Sequence, residues 1–176
     1  MPPAKDPELS LTDHVVLGLV AEGPTHGWAL AQLLAADGEV GVVWTVRRPL
    51  VYRSVAQLTG AGLVVEAGQA PSARGPRRTI VRASPRGRRV AERWLRTPVA
   101  HVRDVRTELL VKLLLLGRRG DDGTTLARAQ RDVLAPLAGE LERHRRQADG
   151  FDAVLLAWRA ESSAAALRFL DGLVRR

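Results

Sequence analysis

The chain has 176 residues, 27 Lys and Arg against 19 Asp and Glu, and no cysteine, a length suited to one compact domain with an appendage. Hydrophobic and charged fractions of 45% and 26% are those of a globular chain, and the missing cysteines exclude disulfides, zinc fingers and iron–sulfur clusters. The four histidines are scattered, the longest stretch free of Asp, Glu, Lys and Arg runs only from 23 to 36, and MPPAKDPELS lacks an apolar core, so the expectation is a cytoplasmic protein with no metal, cofactor, signal peptide or membrane span.

Residues 1–9 hold three prolines and read as a flexible arm. Ser10 and Asp13 have the spacing of a capping box, and Leu11, Val15, Val16 and Leu19 form one apolar helical face that stops at Gly23-Pro24. A second helix fits 26–36, with Leu30, Leu33 and Leu34 inward and Asp37-Gly38 as its end. A third fits about 48–61, with Val51, Val55 and Leu58 inward and Arg48, Tyr52, Arg53 and Gln57 off that stripe. The period then changes. Leu63-Val64-Val65 and Thr79-Ile80-Val81 are β-prone, with a hairpin tip from Gly68 to Arg78 between them. Ser84-Pro85 opens a fourth helix through about Arg96, with Val90, Ala91, Trp94 and Leu95 available for packing. Helix, helix, helix, strand, strand, helix over 10–97 is the order of a winged helix-turn-helix, whose core is expected to include Trp28 and Trp44.

The remainder, 98–176, reads as helical. Val105, Leu109, Lys112, Leu113 and Leu116 share one helix. From Thr124 to about Gly150, Leu126, Val133, Leu137, Leu141, His144 and Ala148 recur at helical spacing, with Pro136 expected to break or kink the helix. A last helix, about 152–174, carries Val154, Trp158, Ala165, Phe169 and Leu173 on one stripe. These stripes suit either an intramolecular bundle or a dimerisation arm, and the arm is expected because paired DNA half-sites need a paired protein. The predicted fold class is therefore mainly α with a small β-ribbon, an N-terminal winged helix-turn-helix followed by a C-terminal helical dimerisation arm.

The charge is unevenly distributed. Residues 1–46 carry net −5, 47–96 carry net +10, and 97–176 carry net +3. Codon bias explains why 25 of the basic residues are Arg, but it does not strip the acids from one window, where only Glu66 and Glu92 remain. Concentrated positive charge implies a polyanion. The third helix of such a module enters the DNA major groove, and here its start reads Arg47-Arg48-Pro49-Leu50-Val51-Tyr52-Arg53. An Arg fork suits guanine O6 and N7, or a phosphate. Arg47, Arg48, Tyr52, Arg53 and Gln57 are the expected DNA contacts from this helix, with Arg74, Arg77 and Arg78 from the wing. Arg86, Arg88 and Arg89 suit either phosphate contact or a solvated face. No catalytic motif accompanies these residues, so no enzyme is expected, and Asp121-Asp122 before Gly123-Thr124 reads as a turn and helix cap. The competing classes are a DNA-binding repressor gated by a ligand, one governed by a protein partner, and a winged helix used for protein or RNA interaction.

The chain resembles the PadR family of bacterial transcription regulators. The resemblance rests on Leu11-Thr12, on Val16-Leu17-Gly18-Leu19, on His26-Gly27-Trp28-Ala29-Leu30, on Leu50-Val51-Tyr52-Arg53-Ser54-Val55, on Gly75-Pro76-Arg77-Arg78 and on Ser84-Pro85-Arg86-Gly87 with Trp94-Leu95. It covers about 10–97, and Val102 to Leu113 is similar to the helical region of one branch. The chain departs from the family at Arg47-Arg48-Pro49, where Ser, Pro or Gly are common. The resemblance implies a homodimeric repressor that binds a pseudo-palindromic double-stranded operator and is released by a small aromatic or drug-like effector. Carried onto this chain, it makes Trp94, Trp158, Phe151, Phe169 and His144 the candidate effector-pocket residues.

Overall fold

A computed structural model describes residues 8–71 and 77–175. It is mainly helical with one two-stranded antiparallel sheet, and it divides into two units, Met1–Leu95 and Arg96–Arg176. The expected arm at 1–9 and tip residue Arg74 fall largely or wholly outside the described residues.

The first unit runs α1 (Leu11–Val20), α2 (Gly27–Leu33), α3 (Arg48–Gly60), β1 (Val64–Ala70), β2 (Arg78–Ala83) and α4 (Pro85–Arg96), the order of a winged helix-turn-helix. The Ser10 hydroxyl accepts the Asp13 N–H at 3.2 Å, and the Asp13 carboxylate accepts the Ser10 N–H at 3.1 Å, closing the predicted capping box. Every residue from Val15 to Val20 is buried, rather than one face alone, because α3 and β2 pack against α1 and Trp94 of α4 stacks on His14, with ring centroids 5.0 Å apart. Asp13 is buried as well, and its other carboxylate oxygen accepts the hydroxyl of Ser54 on α3 at 2.6 Å.

α2 is shorter than its apolar pattern. Its last carbonyl groups turn to the returning chain: Leu33 O accepts the N–H groups of Val40 and Gly41, each at 3.0 Å, and Leu34 O accepts that of Val46 at 2.9 Å. These bonds replace the next helical turn. Leu30 and Leu34 still point inward, as predicted, while Leu33 is only half-buried.

The strands are longer than their apolar runs. Pairing of Val64 with Ala83 through Ala70 with Arg78 carries the ladder across Glu66, Gly68 and Gln69, with an irregularity between Glu66 and Gly68. Backbone pairing does not need apolar side chains, so the hydrophobic pattern understated the ribbon. Thr25 adds a bridge to β2, exchanging both main-chain bonds with Val81 at 2.9 and 2.8 Å.

Ser84 caps α4. Its hydroxyl accepts the Gly87 N–H at 3.0 Å and donates to Gly62 O at 2.8 Å. Gly87 lies so close to β1 that a β-carbon there would overlap the carbonyl oxygen of Leu63. Because that obstacle is backbone, Gly87→Ala should lower stability by about 3 kcal/mol. A urea titration reads this as a lower midpoint with an unchanged slope.

In the second unit, α5 (Val102–Asp104) leads through a π-helical turn (Val105–Leu109) into α6 (Leu110–Arg118). Lys112 is buried, with Nζ 2.7 Å from Glu108 and 2.8 Å from Thr97 O. Burial pushes its pKa down, and Glu108 opposes that without cancelling it. Asp122 accepts the Thr124 N–H at 2.8 Å, the predicted turn before α7 (Thr124–Arg145), whose N-cap is instead Gly123 in a left-handed conformation with no side-chain cap bond. α7 packs on α8 (Gly150–Val174).

The predicted stripes of α7 and α8 are largely exposed rather than turned into the unit. α7 is continuous through Pro136, and its buried residues are Leu126, Ala127, Gln130 and Leu134. Val133 and Leu137 are 39% and 38% exposed, and His144 is exposed. The inward stripe passes through a polar residue: the Gln130 amide accepts the Val99 N–H at 2.7 Å and donates to Val99 O at 2.8 Å, pairing that backbone as a strand neighbour would. On α8 the buried residues are Ser163, Ala166 and Leu170.

Candidate nucleic-acid interface

α3 owes its exposed polar face to the burial of the opposite one. Val51, Ser54 and Leu58 fix its rotation against the core, which leaves Arg47, Arg48, Tyr52, Arg53 and Gln57 outward, as predicted. Pro49 in the first turn costs no hydrogen bond. The Arg48 guanidinium lies over the Tyr52 ring, 5.7 Å from its centroid, a cation–π contact that restrains both side chains.

Arg48 and Tyr52 face the ribbon across an open cleft of about 730 Å³ within the first unit, lined also by Trp28, Glu66, Arg77 and Arg78 among others. Of the described residues lining it, only Glu66 is acidic. The structure therefore brings Arg48 of the helix and Arg77 and Arg78 of the wing to one cleft, while Arg47, Arg53 and Gln57 do not line it and Arg74 lies outside the described residues.

Trp28 was misplaced in the core. It is 41% exposed, and the Arg78 guanidinium sits 4.8 Å from its ring centroid. Trp44 is half-buried. The side chains around Trp28 depend on Gly27: a β-carbon there would come 2.7 Å from Tyr52 Cε1, so the bare backbone leaves room for the tyrosine ring. Arg86 and Arg88 are engaged elsewhere, donating to Ala61 O at 3.3 Å and Ala83 O at 3.1 Å. Their roles close off the end of α3 and of β2.

Sequence reasoning also missed His26. Its Nδ1 accepts the Ala29 N–H at 3.0 Å and caps α2, while Nε2 lies 3.5 Å from Arg78 Nη1. The Thr25–Val81 bridge brings the two together. Histidine is an unusual cap, and its position just before the helix was the available signal.

The candidate effector residues divide between the units. Trp94 is 7% exposed and stacked on His14. On α8, Phe151, Trp158 and Phe169 are 77%, 71% and 41% exposed. Among the described residues no group of His, Cys, Asp and Glu is arranged to hold a metal, and no helix is long and apolar enough to cross a membrane.

No protein-family model and no curated protein matches the chain. Solved structures do. The chain is similar to Bacillus subtilis PadR in complex with operator DNA, at 15% identity over 94% of this chain and 98% of that one, with a TM-score of 0.48. It is similar to the same protein in complex with p-coumaric acid, at 15% identity over 94% and 98% of the two chains, TM-score 0.45. A PadR-like transcriptional regulator from Bacillus cereus is similar at 16% identity over 93% and 96%, TM-score 0.40.

Proposed function

We propose that the protein is a double-stranded-DNA-binding transcription regulator of the PadR type, a homodimeric repressor released by a small aromatic or drug-like effector. One observation carries the DNA-binding reading: Arg47, Arg48, Arg53, Arg77 and Arg78 lie on α3 and the adjoining ribbon, with Arg48, Arg77 and Arg78 lining one cleft. In this fold α3 inserts into the major groove while the wing follows the backbone.

Dimerisation is supported by α8. Phe151, Val154, Trp158, Ala165 and Phe169 recur on one exposed helical stripe, and a second copy offers the same stripe in return. In this reading Trp158 and its neighbours border the effector site, and their aromatic rings suit an aromatic ligand.

Sedimentation and a gel shift on the protein's own upstream DNA test both halves. The intact protein should sediment as a dimer and shift that duplex in preference to an unrelated one. Trp158→Asp should sediment as a monomer and lose most operator affinity. Failure of the intact protein to prefer any duplex removes the repressor reading, and a dimeric Trp158→Asp variant places the dimer interface elsewhere.

A further inference from the structure

His26 carries two bonds' worth of information. Because Nδ1 accepts the Ala29 N–H at 3.0 Å, its lone pair is occupied, and the neutral ring must carry its proton on Nε2. Nε2 then points a donor at Arg78 Nη1, 3.5 Å away, which is also a donor. Two donors do not form a hydrogen bond with each other, but one acceptor beside the pair can take a bond from each.

Further contacts favour this arrangement of both groups. The Arg78 guanidinium lies against the Trp28 ring, 4.8 Å from its centroid, and the Trp28 ring is itself 6.2 Å from that of His26. The paired main chains of Thr25 and Val81 hold His26 beside β2. The pair opens on the cleft that also presents Arg48, Tyr52 and Arg77.

We propose that the His26 and Arg78 side chains form a two-donor seat for one phosphate oxyanion, supplied by the backbone of the duplex lying on α3 and the ribbon. The identity of the source rests on the DNA-binding reading; the seat itself rests on the donor geometry. The imidazole N–H and the guanidinium each donate to the oxyanion, and the arginine adds the compensating charge. His26 thus serves the fold through one nitrogen and the ligand through the other.

The test uses the intact, ¹⁵N-labelled protein. Its histidine ring spectrum near neutral pH should show His26 as the Nε2–H tautomer, and inorganic phosphate should move the Nε2 signal. In duplex titrations, His26→Asn keeps a side-chain oxygen to cap α2 but does not reach the seat. Its thermal midpoint should stay near that of the unsubstituted protein. Its affinity for the upstream duplex should fall about tenfold with little change in the slope of log K against log salt, since the arginine supplies the charge. Arg78→Ala should weaken binding at least as much and shrink that slope by about 0.9, one phosphate's worth, and the double variant should lose little beyond Arg78→Ala, since both donors serve one anion. An Nδ1–H tautomer, unaltered duplex affinity of His26→Asn, or fully additive losses would overturn the seat. If the intact protein binds no duplex yet phosphate moves the His26 Nε2 signal, the seat holds for free phosphate and the DNA-binding reading alone is lost.

Discussion

Binding of each protomer to its half-site should weaken about a thousandfold when salt rises from about 50 to about 200 mM. The described arginines proposed to meet the duplex are Arg47, Arg48 and Arg53 at α3 and Arg77 and Arg78 at the wing, and the sequence adds Arg74, outside the described residues, as an expected sixth. At about 0.9 counterions released per phosphate neutralised, six contacts give a slope near −5 in log K against log salt for each protomer engaged. Arg86 and Arg88 are not counted, because they already donate to main-chain carbonyls. Single substitutions then separate the two uses of arginine. Arg48→Ala or Arg53→Ala should cost about 1–3 kcal/mol and relax base preference if the fork reads a guanine. A phosphate contact should instead cost less, act equally on all sequences and reduce the slope by about 0.9. Gel shifts across a salt series, with operator and scrambled duplexes, read both. A slope shallower than about −2, together with unchanged affinity in both variants, would refute α3 as the DNA-facing helix.

The second large effect concerns Asp13. This buried carboxylate caps α1 through Ser10 and holds the Ser54 hydroxyl of α3 at 2.6 Å. Asp13→Ala removes the cap, worth about 1 kcal/mol, and leaves a buried hydroxyl unpaired, worth about 1–3 more. A loss of about 2–4 kcal/mol in chemical denaturation is the expected result. Because Ser54 sits on the inward side of α3, the same change should also weaken DNA binding by loosening the helix that presents Arg48 and Arg53. The carboxylate has a pH signature too. Burial pushes its pKa up, but the hydrogen bonds from Ser10 and Ser54 outweigh this and hold it below the ordinary value of 3.8. A depressed folded-state pKa contributes stability that is complete above the unfolded value and lost as pH falls through the folded one. The unsubstituted protein should therefore lose more stability than Asp13→Asn between about pH 5 and about pH 2. Equal losses would show that the carboxylate is not held by these bonds.

Much of the first unit was legible because its signals are local. The Ser10 and Ser84 caps, Pro49 in the first turn of α3 and the Val51–Leu58 stripe act within a few residues of where they stand. They gave the element order, and with it the outward set of Arg47, Arg48, Tyr52, Arg53 and Gln57. The C-terminal stripes left open what covers them, for an equally physical reason. Apolar spacing marks a helical face but does not name what covers it. In α7 the covered face runs through Gln130, whose amide satisfies the Val99 backbone, while Val133 and Leu137 stay half in solvent. In α8 the aromatic stripe lies open, and small residues take the interior.

By itself the sequence determined the helical order, the caps, the position of the ribbon and the concentration of positive charge in 47–96, all properties of neighbouring residues and of composition. Tertiary structure decided which polar groups meet. Asp13 and Ser54 are 41 positions apart, and His26 and Arg78 are 52 apart. Their pairings leave no periodic trace, because a hydrogen bond or a shared anion depends on where the folded backbone brings two atoms. Tertiary structure likewise moved Trp28 from the expected core to the edge of the cleft, where its ring holds Arg78.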